Sequence, residues 1–215
     1  MALQTEDLIA RLAADARPVD AHRILRTTLV AATLGLAAAI LMVVETIGMR
    51  RDWATAWGDP RVLAKILFVL TAAAAAALVF VRLARPGRTL KPLIGLLALP
   101  FAGIAVLASI ELGMAGPQDM PALVFGSSWT FCLTYLPLYA IVPFGALVAV
   151  LRSSAPTDLR GAGFAAGLFA GSLAAIAYAV HCTEDAMAFV AAWYAGAILI
   201  VGLLGALLAP RLVRW

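Results

Sequence analysis

Two cysteines, Cys132 and Cys182, are the only thiols among 215 residues and stand 50 positions apart. A thiol enzyme that turns over needs a close dithiol and a second acceptor for its electrons, and no C-x-x-C pair occurs here. A single oxidation, or the capture of one metal ion, needs only that the two sulfurs meet, which favours a sensor over an enzyme. His181 adjoins Cys182, and Glu184 and Asp185 follow, so thiol, imidazole and carboxylates fall within one turn. Two thiolates with an imidazole would suit a soft or borderline ion such as copper(I), zinc or cadmium, and no cofactor is required. Each cysteine alone also reads as a small buried hydrophobe.

The elements that position these residues follow from composition. The chain is 64% hydrophobic and only 13% charged, with a mean hydropathy of +0.98. A water-soluble fold of this size has too little interior to hide so much apolar surface, so the solvent is the lipid bilayer. A helix needs about 20 apolar residues to cross about 30 Å of hydrocarbon. Six runs qualify: Ile24 to Ile47, Val62 to Val81, Pro92 to Leu112, Leu133 to Leu151, Gly161 to Val180 and Ala186 to Leu208. The expected fold is therefore an all-α membrane protein of six transmembrane helices (24–215), with short loops and a basic tail, behind a leader of residues 1–23. Four acids and three arginines in that leader argue against a cleaved signal peptide.

Lysine and arginine divide twelve against four between alternate connections. By the positive-inside rule both termini are cytoplasmic, in a bacterial inner membrane, with the weaker set, Arg50, Arg51, Arg61 and Lys65, outside. Both cysteines then fall on the outer, oxidising side. Haem carriage by paired histidines fails, because His22 and His181 lie on opposite sides. A net charge of +4 is spread over the ends of apolar runs, which excludes direct binding of nucleic acid.

Other residues carry structural or mechanical expectations. Gly163, Gly167 and Gly171 recur every fourth position and predict a seam for close helix packing. Pro137 and Pro143 each remove a backbone hydrogen bond and predict a kink, or hinge, in the fourth span. Leu8, Ile9 and Leu12 share one face of a short amphipathic leader helix, a face that suits either the membrane surface or a cytoplasmic partner. Glu45, Lys65 and Glu111 read as solvated groups near the outer boundary, and Trp53, Trp57, Phe125, Trp129, Trp193 and Tyr194 as an interfacial aromatic belt. No ionisable group lies at mid-membrane, which counts against the rival reading of a small metal-handling transporter. The missing second cysteine pair counts against the other rival, a thiol redox membrane protein.

With these residues in view, the chain resembles the NrsF type of membrane anti-sigma factor from end to end. The likeness rests on the leader TEDLIARLAADARPV, on GSSWTFCL around Cys132 with Pro137 following, and on Ala155 and Pro156. It rests further on YAVHCTEDAMAFVAAWY from Tyr178 to Tyr194 and on the tail RLVRW. The resemblance implies that the protein holds an extracytoplasmic-function sigma factor inactive at the membrane. It also implies that two periplasmic cysteines, here Cys132 and Cys182, are needed for a response to heavy-metal or oxidative stress. Proline usually follows the second cysteine; Thr183 stands there in this chain. The sigma-contacting role of Leu8, Ile9 and Leu12 comes from the leader's own pattern.

Overall fold

The computed structural model describes residues 5–14 and 22–213. All regular structure among them is helical. In chain order the helices are α1 (Thr5–Ala14), α2 (Arg23–Thr46), α3 (Trp53–Ala56), α4 (Pro60–Leu83), α5 (Ile94–Met114), α6 (Met120–Phe125), α7 (Trp129–Tyr139), α8 (Ile141–Arg152), α9 (Leu159–Ala179), α10 (Met187–Phe189) and α11 (Ala195–Leu212). Six helical segments are long and apolar enough to cross a membrane: Arg23–Thr46, Pro60–Leu83, Lys91–Met114, Met120–Arg152, Leu159–Ala179 and Met187–Leu212.

Local chemistry sets several boundaries. Asp59 accepts from the Arg61 amide at 2.8 Å, and Pro60 supplies the preset φ that starts α4. Gly48, at φ +77°, closes α2 by returning its amide to the Val43 carbonyl at 3.0 Å. Within α2 the hydroxyls of Thr27, Thr28 and Thr33 bond to carbonyls one turn back, which satisfies them without water.

Small residues make α9 the hub. Nearly all of its side chains are buried, and it packs on α11, α4, α2, α8 and α7. The α9–α11 pair is the most extensive. A Cβ at Gly163 would collide with the Gly205 carbonyl, and one at Gly167 with the Val201 carbonyl, so the two backbones touch where glycine occurs in both helices. Gly171 extends the contact, its Cβ position lying 3.2 Å from the Ile198 Cα. Outward-facing leucines such as Leu34, Leu67, Leu99 and Leu207 are exposed, which accounts for the excess of apolar residues.

The fourth span departs from the expected single run. It begins with α6, turns at Gly126 with φ +53°, and breaks between α7 and α8 at Ala140. Pro137 lies inside α7, whereas Pro143 is buried in the first turn of α8. Pro143 fills the hollow left by Gly35 of α2, where a Cβ would lie 2.9 Å from its Cα. Tyr194, expected in an aromatic belt, is instead fully buried. It ends a single π-helical turn, Val190–Tyr194, that leads the sixth span.

Candidate functional site

The turn that follows α9, residues 180–186, carries His181 and Cys182 and is bonded through Glu184 to Ser127, five residues before Cys132. Cys132, from the first turn of α7, is completely buried, and Cys182 is 3% exposed. Both belong to one core cluster and both are free thiols. The Tyr194 hydroxyl is buried without a hydrogen bond of normal geometry, with the Cys182 thiol beside it.

His181 takes a different part from the one its neighbour implied. Its Nδ1 lies 3.0 Å from the Gly48 carbonyl, and its ring rests on Tyr178 with centroids 5.8 Å apart. Among the described residues no three His, Cys, Asp or Glu side chains converge as a metal cage. Two thiols alone would suit a soft ion, and His181 would have to release Gly48 to become a third ligand.

Two cations hold the turn from below. Lys65 of α4 has no exposed surface, contrary to the expectation of a solvated interfacial lysine. Its three N–H donors are all used: on the Cys182 carbonyl at 2.9 Å, on the Glu184 carbonyl at 3.3 Å and on the Asp185 carboxylate. Arg50 donates to both oxygens of Asp52 at 2.8 Å and to Asp185 at 3.0 and 3.3 Å, and reaches the Cys182 carbonyl at 3.2 Å. Its amide also donates to the Val180 carbonyl at 3.1 Å. The hydrogen bonds to Asp52 raise the Arg50 pKa, against the opposing effect of burial, and Asp52 in turn is lowered to about 2 by the guanidinium. Two cations and two carboxylates balance, so burial leaves no charge uncompensated.

Further ties close the same end of the bundle. Glu184 accepts from the Ser127 amide at 2.7 Å and from its hydroxyl at 2.6 Å, joining the GSSW segment before Cys132 to the segment after Cys182. A Cβ on Gly126 would lie 2.6 Å from the Glu184 carboxylate, so this approach depends on glycine. Glu111 is likewise not a solvated group: it pairs with Arg61 at 3.0 Å and accepts from the Ala188 amide at 3.0 Å. Glu45 does stay exposed. Trp193 donates its indole N–H to the Val124 carbonyl at 2.7 Å and stacks near Trp129, centroids 4.8 Å apart.

The leader residues lie elsewhere. α1 is helical as its pattern predicts, and Ile9 is 60% exposed, whereas the side chains of Leu8 and Leu12 fall outside the described residues. The glycines of α9 line the seam with α11, and Pro137 stands five residues beyond Cys132. What sequence reasoning missed is the Arg50–Lys65–Asp185 clamp. The signal for it was the surplus of cations in the first outer loop, which needed carboxylates on the same side.

Comparison with known proteins places this arrangement in a family. The chain matches the NrsF family, described as negative regulator of sigma F, over residues 12–215. It is 35% identical over 213 residues to a probable anti-sigma-F factor NrsF of Azospira oryzae, covering 99% of this chain and all of that protein. It is also 35% identical over 218 residues to the anti-sigma-F factor NrsF of Caulobacter vibrioides, with the same coverage. No solved structure matches. The match runs almost end to end and includes both cysteine segments, so the chain belongs to the NrsF family of negative regulators of sigma F.

Proposed function

We propose that the protein is an integral inner-membrane anti-sigma factor that holds a sigma factor of the extracytoplasmic-function class inactive and releases it when Cys132 and Cys182 react with a heavy metal or an oxidant. The observation that carries this reading is that both thiols are buried, Cys132 in the first turn of α7 and Cys182 in a turn clamped by Lys65 of α4 and by Arg50 of the connection after α2, with Glu184 bonded to Ser127 tying the two cysteine segments together. Oxidation would join the sulfurs, passing two electrons to the oxidant and releasing two protons; a soft metal ion would bridge them as thiolates. Either product needs the turn to open first, since both thiols are buried, and either favours a packing in which the sulfurs are closer. Only such a difference between two packings can change affinity for a partner at the far end of the bundle.

The orientation is supported by the ion pairs. Of the four cations assigned to the outer side, Arg50, Lys65 and Arg61 are neutralised by Asp52, Asp185 and Glu111. With those cations held in the folded outer end, the twelve-to-four bias supports the reading in which both termini are cytoplasmic. Reporter fusions test it: positions 88 and 156 should report cytoplasm, and positions 118 and 184 periplasm. Reversed signals would put both thiols on the reducing side and end the sensor reading.

A further inference from the structure

At the end of the bundle opposite the cysteines, the connection after α4 forms a cleft of about 660 Å³ lined by Arg82, Arg85, Arg88, Thr89, Pro92 and Leu93. The three arginines are exposed at intervals of three residues, and Lys91, also exposed, continues the series. The positive-inside bias explains why cations gather at this end, but not why they share one cleft or why that cleft is fixed to another span. It is fixed twice. The amide of Gly87, which at φ +75° turns the loop, donates to the Thr157 hydroxyl at 3.1 Å. The amide of Leu90 donates to Asp158 Oδ2 at 3.1 Å, while Asp158 Oδ1 caps α9 through the Gly161 amide at 2.8 Å. One carboxylate therefore joins the basic loop to the first turn of α9, and the last turn of α9 leads into Cys182.

We infer that this cleft is the docking surface for an acidic segment of the sigma factor, and that Asp158 couples its shape to the cysteine turn. The inference rests on the anti-sigma reading and names the surface through which it operates. Carboxylates of the partner would pair with Arg82 and Arg88, and an apolar side chain would rest on Pro92 and Leu93. An anionic lipid headgroup shares the charge, but an unattached loop would hold it equally well. The tie to α9 has a consequence only for a ligand whose release the cysteines control. Because α9 is buried along nearly its whole length and locked to α11 at the glycine seam, the two helices would shift as one rigid unit, and a shift at Cys182 would then reach Asp158.

The test uses the full-length protein in nanodiscs and its purified sigma-F-class partner, with Kd read by a labelled sigma factor. Arg82→Glu with Arg88→Glu should weaken binding by at least about 100-fold, two lost and reversed ion pairs at about tenfold each being the minimum. Asp158→Asn is the sharper variant. Asparagine keeps the cap, since its carbonyl still accepts from Gly161, but its amide group cannot also accept from Leu90. Removing a negative charge would by simple attraction tighten binding of an acidic partner, whereas the coupling predicts binding weaker by about fivefold or more, the low end of coupling factors. Unchanged melting temperature of each variant shows that it is folded. If the native protein does not bind the sigma factor at all, the anti-sigma reading fails. If it binds and the arginine reversal changes Kd less than about threefold, or if Asp158→Asn tightens binding, this inference is overturned while that reading stands. Loss of phosphatidylglycerol-vesicle binding with an unchanged sigma Kd would assign the cleft to lipid and overturn it too.

Discussion

Replacing Asp185 by Asn strands Lys65. That ammonium keeps two carbonyl partners, from Cys182 and Glu184, but loses its only carboxylate, while Arg50 retains both oxygens of Asp52. Breaking a buried ion pair on one side costs about 3 to 5 kcal/mol, and the remaining carbonyls place this case near about 3. If that energy is lost from the clamped turn, its opening equilibrium rises by about 100-fold, one factor of ten for every 1.4 kcal/mol. The readout is the labelling rate of Cys182 by 4,4′-dithiodipyridine in nanodiscs, with Cys132 replaced by Ser to isolate one thiol. Adding Lys65→Met removes the stranded charge and puts an apolar side chain of similar length in its place. The Lys65→Met, Asp185→Asn double variant should therefore label within about tenfold of the parent, far slower than Asp185→Asn alone. A double variant that labels as fast as, or faster than, Asp185→Asn alone would refute the clamp, because the two side chains would then be acting independently.

The same labelling rate should depend on pH through Asp52. Its pKa is lowered from 3.8 to about 2 by Arg50, so the contribution of this pair is complete above the unfolded value, and is lost as pH falls through about 2. Cys182 protection should hold from neutrality down to about pH 4 and fall away below about pH 3, and Asp52→Asn should lessen that loss by the share belonging to the Arg50–Asp52 pair. At the glycine seam, Gly167→Ala should lower stability by about 1 to 3 kcal/mol, seen as a reduced melting temperature. Gly103→Ala, where an added Cβ meets open space, should leave the melting temperature unchanged or raise it. For the leader, Leu8→Asp with Leu12→Asp should free the sigma factor at unchanged membrane yield. Co-purification of sigma factor with that double variant at the native level would move the whole interaction to the loops.

The spans could be read from sequence because bilayer crossing imposes a length and an apolarity that local composition reports directly. The seam was visible for a similar reason, Gly163, Gly167 and Gly171 repeating at the helix period. Lys65 was not, since its burial is decided by Asp185, 120 residues away, and a lysine near a span end has the same local sequence whether it is solvated or clamped. Tyr194 shows the same limit. It adjoins Trp193 in a boundary segment, yet a π-helical turn directs it into the core beside the thiols. Pro143 was expected to bend a helix, and its place against Gly35 depends on a contact between spans that periodicity does not encode.

The central claim, that Cys132 and Cys182 act as one unit controlling release of the sigma factor, is tested most directly by assembling the complex in nanodiscs and adding cadmium or diamide. The native complex should release its sigma factor. Cys132→Ser, Cys182→Ser and the double variant should all retain it to the same extent, a non-additive pattern that follows from a site needing both sulfurs. Release from each single variant at about half the native extent would show two independent thiols and contradict the shared site.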